Sequence, residues 1–135
     1  MANQIIIALG AHVYGPPGTL TKGVRSIYDY TKKELGLKDI KVVEGSGISR
    51  KNRVSALDML AILKRFRPYR LLLKRKDNVL FKTGSLKGIR TRAGYIEKNG
   101  REPYSFVIFL NRSGTDIDKL MYGIRDALAK SLNRH

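Results

Sequence analysis

The chain has 135 residues, 42% hydrophobic and 28% charged, with 27 Lys+Arg against 11 Asp+Glu and a net charge of +16. That length suits a single unit over 1–135, able to bury ~70% of the surface its unfolded chain exposes, and no apolar run approaches the ~20 residues that span a bilayer. Zero cysteines exclude a disulfide scaffold, a Cys-ligated zinc site and a thiol nucleophile, and the two histidines, His12 and His135, sit too far apart in sequence to suggest a metal cluster or a Ser-His-Asp triad.

Met1 is followed by Ala2-Asn3-Gln4 and the apolar run Ile5 to Leu9. No basic n-region, h-region or small-residue cleavage site is visible, so no signal peptide is read here. Gly10 reads as the stop of a short helix stub. Gly15-Pro16-Pro17-Gly18 marks a loop, with His12 exposed beside it and without a metal role. Leu20, Val24, Ile27, Tyr28 and Leu35 then recur at helical spacing, and Gly36 closes that helix. Ile40 to Val43 reads as a short strand. Glu44 to Arg50 is a small-residue loop, in which Ser46 and Ser49 have no His or Ser-x-x-Lys lysine to activate them and are read as loop-building.

Ser55 and Asp58 form a capping-box pattern ahead of a helix that Pro68 should end near Phe66. Val79 to Thr83 and Ile89 to Ile96 read as strands. Asn99-Gly100 predicts a type I′ hairpin leading into Tyr104 to Leu110. Phe106 to Leu110 is apolar on both faces, as expected of an interior strand. Thr115 and Asp118 form a second capping box, opening a helix with Ile117, Leu120, Met121, Ile124 and Leu128 on one face. The whole reads as α+β, with helices packed on an antiparallel β-sheet.

The charge opens one line of function. Residues 64–76 hold seven basic side chains and no acid, with Phe66 and Tyr69 interleaved. Such a tract suits a nucleic acid, through phosphate neutralisation and base stacking, or another polyanion such as a cell-wall polymer or lipid surface. It also suits a solvated connection over the sheet. The three readings stay open at this point.

Lys82-Thr83-Gly84, at the end of a predicted strand, opens a second line. A Lys-Thr-Gly strand lines the active site of serine enzymes that recognise penicillin. A cation at Lys82 would support proton movement, a hydroxyl at Thr83 could donate to a substrate carboxylate, and Gly84 would let a substrate backbone lie along the strand edge. The Ser85 N–H would serve as an oxyanion-hole donor. Arg90 and Arg92 fall on one face of the next strand, where Arg90 suits either a fork for a carboxylate or a solvated sheet face, and Arg92 fits the solvated face.

Glu44-Gly45-Ser46-Gly47-Ile48-Ser49-Arg50-Lys51-Asn52, followed by Lys82-Thr83-Gly84-Ser85-Leu86-Lys87-Gly88-Ile89-Arg90 and Ala93-Gly94-Tyr95, resembles the D-alanyl-D-alanine carboxypeptidases/endopeptidases of the penicillin-binding-protein-4 type. The order and register of these motifs match that family, and the resemblance runs from about Ala2 to the last helix. It implies the C-terminal part of a penicillin-binding transpeptidase domain, with Lys82 as catalytic support and Thr83, Gly84, Ser85 and Arg90 binding substrate. It implies peptidoglycan stem peptides and β-lactams as partners of the full-length enzyme, a periplasmic or extracellular setting, and neither metal nor organic cofactor.

No Ser-x-x-Lys occurs in these residues, so the family's nucleophile is missing, and its Ser-x-Asn motif is expected just upstream of Met1. Ser131-Leu132-Asn133 matches Ser-x-Asn outside the required context and is read as chance. The resemblance also implies a five-stranded sheet whose first two strands come from an N-terminal portion. Without them the strand edge at 106–110 is left open to self-association.

Overall fold

A computed structural model describes residues 1–132; Asn133 and His135 lie outside the described residues. The chain divides into two compact units, Met1–Asp58 and the residues from Met59 onward.

The first unit is built on helices α1 (Ala2–Tyr14) and α2 (Leu20–Leu35). Helix α1 is longer than the predicted stub, because Gly10 lies buried inside it and Gly15, at φ +77, follows its end. His12 accordingly sits in the last helical turn rather than in the loop. Close contact with α2 explains the glycine. A Cβ at Gly10 would stand 2.8 Å from Lys22 Cβ, and one at Gly23 would meet the Ile6 carbonyl oxygen. Both glycines therefore serve the approach of two backbones, not a helix end. Helix α2 matches its expected bounds: Thr19 Oγ1 accepts from Lys22 N at 3.1 Å, and Gly36 takes φ +66.

The expected strand Ile40–Val43 reduces to a single bridge between Lys41 and Arg53. Tyr28 Oη accepts the Val42 N–H at 2.9 Å and Asn52 Oδ1 accepts that of Val43 at 2.7 Å. Side chains thus take the donors a ladder would have used. The Ser55–Asp58 capping pair forms: Asp58 N donates to Ser55 Oγ at 3.0 Å and Ser55 Oγ to Asp58 Oδ2 at 2.8 Å. It opens α3 (Ala56–Phe66), in whose first turn the division between units falls.

In the second unit a 3₁₀ turn, Arg67–Leu72, leads into a four-stranded antiparallel sheet of order β1 (Lys74–Lys76), β2 (Val79–Leu86), β3 (Ile89–Lys98) and β4 (Arg101–Leu110). Helix α4 (Ile117–Leu132) closes the described chain. This is the expected α+β arrangement of helices on an antiparallel sheet.

Each face of the sheet carries its own core. Val79, Phe81, Ile96, Phe106 and Ile108 pack with Ile117 and Met121 of α4 on one face. Leu80 and Tyr95 pack with Leu63 of α3 on the other, where Tyr95 Oη donates to the Leu63 carbonyl. Gly94 is required between them, since a Cβ there would meet the Leu80 carbonyl oxygen and stand 2.7 Å from Phe81 Cα.

Three local expectations are corrected. Asp116, not Thr115, caps α4, accepting from Asp118 N at 3.0 Å and Lys119 N at 3.1 Å. Leu120 and Ile124 stay 40% and 36% exposed rather than joining the packed face of α4. The Asn99-Gly100 hairpin forms, but only Gly100 takes positive φ, so the turn is not type I′. Glu97 faces both Glu102 and Pro103 in a bulge, where proline's missing N–H costs no ladder bond. The two-sided apolar strand β4 has β3 on one side only, so among the described residues its outer edge is open, as the resemblance implies for these residues taken alone.

Candidate active site along strand β2

Lys82, Thr83, Gly84 and Ser85 occupy the second half of β2, paired with Ala93, Arg92, Thr91 and Arg90 of β3. On its other side β2 meets only β1, and that pairing covers Val79 to Phe81. From Lys82 onward the outer edge has no strand partner among the described residues.

Backbone parity defines what this edge offers. Glu97 N donates to the Asn78 carbonyl at 2.7 Å, so residue 78 turns its polar backbone toward β3. Antiparallel ladders alternate this direction residue by residue. Leu80, Lys82 and Gly84 therefore bond inward, whereas Thr83 and Ser85 turn their backbone N–H and C=O groups to the open edge.

Side chains alternate as well. Thr83 and Ser85 share the α4-facing side of the sheet with Phe81 and lie across from Arg92 and Arg90. Lys82 projects from the opposite side, as Leu80 does. The lysine nevertheless returns to the edge, because its Nζ donates to the Thr83 carbonyl at 2.8 Å. Thr83, Ser85 and Arg90 are thus gathered on one face, and the Lys82 ammonium meets the rim at the Thr83 carbonyl. Gly84 has an internal reason too: a Cβ there would meet Thr91 Oγ1.

The two arginines differ sharply. Arg92, with 13% of its side chain exposed, donates from Nε to Asp118 Oδ1 at 2.8 Å and from Nη2 to Asp118 Oδ2 at 3.2 Å. This bond, rather than a solvated face, accounts for Arg92. It also holds the Asp118 carboxyl below its ordinary value, with smaller help from the charges of Lys76 and Arg90. Arg90 is exposed and forms no ion pair among the described residues.

In the first unit the 44–52 loop is organised by one carboxylate. Glu44 accepts from Ser46 N at 2.6 Å, Ser49 N at 3.1 Å and Asn52 Nδ2 at 2.7 Å, and from Ser46 Oγ. These donors, Ser46 foremost, hold Glu44 well below its ordinary 4.5, at about 2. The serine hydroxyl at 46 is engaged in building the loop, as expected.

The basic run is not uniformly solvated. Of its seven cations, Arg67 pairs with Glu102 at 2.5 Å, Arg75 with Glu97 at 2.8 Å and Arg70 with Glu97 at 3.5 Å. Its last three residues form β1, which the sequence reading did not anticipate. Strings of basic residues carry little strand signal, and only the position of Asp77-Asn78 before β2 hinted at a hairpin. Among the described residues no group of three or more potential metal-binding side chains occurs, and no helix is long and apolar enough to cross a membrane.

Comparison with solved structures finds a fold match. A crystal structure of penicillin binding protein 4 from Haemophilus influenzae superposes with a TM-score of 0.76 over 85% of this chain, at 24% sequence identity. The fold is that of a segment of penicillin binding protein 4. A second structure of the Haemophilus influenzae protein, complexed with a novel β-lactam, superposes at 0.73 over 96% of the chain, at 23% identity. This chain spans 31% and 37% of those two chains, about a third of their length. No protein-family model and no curated protein matches the sequence. The fold implied by the motifs of the 44–52 loop and the 82–90 strand is thus borne out.

Proposed function

We infer that this chain is the C-terminal part of a serine-type D-alanyl-D-alanine carboxypeptidase of the penicillin-binding-protein-4 type, and that both compact units belong to one transpeptidase domain of a longer protein. One observation carries the reading: Lys82-Thr83-Gly84-Ser85 lies on the half of β2 whose outer edge has no strand partner among the described residues, in a chain with this fold. An extended stem peptide of peptidoglycan can add to that edge as a strand.

The roles follow from chemistry. The Ser85 N–H donates to the scissile carbonyl as its oxygen gains negative charge. The Thr83 and Ser85 hydroxyls bind the terminal carboxylate, and the Arg90 guanidinium beside them attracts it. The Lys82 ammonium supplies positive charge near the nucleophile and supports its proton transfer. A serine outside these residues attacks the carbonyl, the C–N bond breaks, the terminal D-alanine departs as the amine, and water then hydrolyses the ester. No metal or organic cofactor takes part. The substrate lies in the cell wall, so the full enzyme works outside the cytoplasmic membrane.

Without its nucleophile a site of this kind loses nearly all its rate, so the isolated chain is inactive. The test is covalent labelling by a fluorescent penicillin, read on a denaturing gel, for the chain alone and for the longer protein that contains it. Labelling of the longer protein only is expected. Labelling of the chain alone would refute the absence of the nucleophile, and a folded longer protein that stays unlabelled would refute the enzyme reading.

A further inference from the structure

At the other end of the sheet from Lys82, the 3₁₀ turn, the β1–β2 turn and the β3–β4 hairpin border an open cleft of about 710 Å³. Five cations line it: Arg67, Arg70 and Arg75 from one wall, Lys98 and Arg101 from the hairpin. Only Glu97 and Glu102 oppose them. Two features separate this from an ordinary charged surface. Arg70 Nε is buried and has no hydrogen-bond acceptor among the described residues, standing 3.5 Å from Glu97 Oε1. Arg101 forms no ion pair among those residues.

The anions present are unequally held. Glu97, 22% exposed in its side chain, is shared by Arg70 and Arg75. Glu102, 80% exposed, holds Arg67 alone. An exposed pair of that kind is readily exchanged. We propose that this cleft binds a small soluble anion carrying two adjacent phosphate groups, which displaces Glu102 from Arg67 and is gripped between Arg67 and Arg101. Guanidinium forks suit phosphate oxygens, and the volume lies within the range of small-molecule sites. Glu102 acts as a resident competitor for the incoming anion.

This assignment predicts changes of opposite sign at adjacent residues. Inorganic pyrophosphate is titrated calorimetrically into the chain at about 50 mM salt, where phosphate contacts are least screened. Arg101→Ala weakens binding about tenfold or more, the loss of one charge-assisted contact. Glu102→Gln tightens it at least about threefold, because the exposed ion pair it removes is weak. Arg112→Ala, an exposed cation beyond the far end of β4, leaves it unchanged. All three positions are exposed, and a circular-dichroism spectrum matching that of the unaltered chain checks that each variant keeps the fold. Failure of the unaltered chain to bind, equal losses in Arg101→Ala and Arg112→Ala, or no gain in Glu102→Gln would overturn the assignment.

Discussion

Arg92 and Asp118 join the sheet to the helix above it through two parallel hydrogen bonds, Nε to Oδ1 at 2.8 Å and Nη2 to Oδ2 at 3.2 Å. Their exposures are unequal, 13% and 52% of each side chain, so the two deletions are not equivalent. Asp118→Asn leaves a largely buried guanidinium poorly paired and should cost about 1–2 kcal/mol in urea denaturation, whereas Arg92→Met should cost under about 1 kcal/mol. The pH dependence has a definite sign. Asp118 has a lowered carboxyl, so its contribution is present above the ordinary 3.8 and is lost as pH falls through the lower folded value. The stability gap between the unaltered chain and Asp118→Asn should therefore close on acidification below pH 3.8.

Glu44 makes a second acid-sensitive prediction. Its carboxylate gathers the Ser46, Ser49 and Asn52 donors and is held at about 2. That depression stabilises the folded loop above 4.5 and is lost as pH falls toward 2. Carboxyl carbon NMR should find Glu44 still ionised at a pH near 3, and Glu44→Gln should speed exchange of the Ser46 and Ser49 amides. Titration of Glu44 near 4.5 would contradict the bonding described for the loop.

These two residues also show what could be read in advance. Short-range rules worked where the partners lie within a few residues. Thr19 and Gly36 bound α2, and Ser55 and Asp58 cap α3, because those bonds depend on local backbone alone. Gly10 misled because a glycine that ends a helix and one that lets two helices touch are the same letter. Only the position of Gly23 in space separates them. Asp118 reads in sequence as half of a capping box with Thr115, yet Asp116 caps the helix and Asp118 turns to Arg92, 26 positions away. For the candidate site, the residue types at 82–85 were legible as a motif. The open edge was not, since it depends on β1 ending opposite Phe81 within a run read only as charge.

Gly94 tests the packing between the two cores. An alanine there would press its Cβ on the Leu80 carbonyl oxygen and the Phe81 backbone, neither of which can yield without breaking the β2–β3 ladder. Gly94→Ala should cost about 3 kcal/mol or more by urea denaturation, at the upper end of overpacking effects. A cost under about 1 kcal/mol would show that the strands separate more easily than their register implies.

The open side of β4 predicts self-association. Phe106 to Leu110 carries apolar side chains on both faces and, among the described residues, presents backbone groups with no strand partner beyond them. Sedimentation velocity of the isolated chain should show a mass that rises with concentration, and Val107→Pro, which removes a donor that faces the open edge rather than β3, should lessen it. A monomer at all concentrations would count against an available edge.

On the proposed function, β2 from Lys82 onward forms one wall of a penicillin-reactive site. The most direct measurement is the rate of covalent labelling by a fluorescent penicillin in the longer protein, comparing the unaltered sequence with Lys82→Ala and with Arg101→Ala, at the opposite end of the sheet. Labelling should be slower by about 10² or more in Lys82→Ala, the scale of losing one electrostatic stabiliser, and unchanged in Arg101→Ala. Equal rates in all three would contradict the proposal.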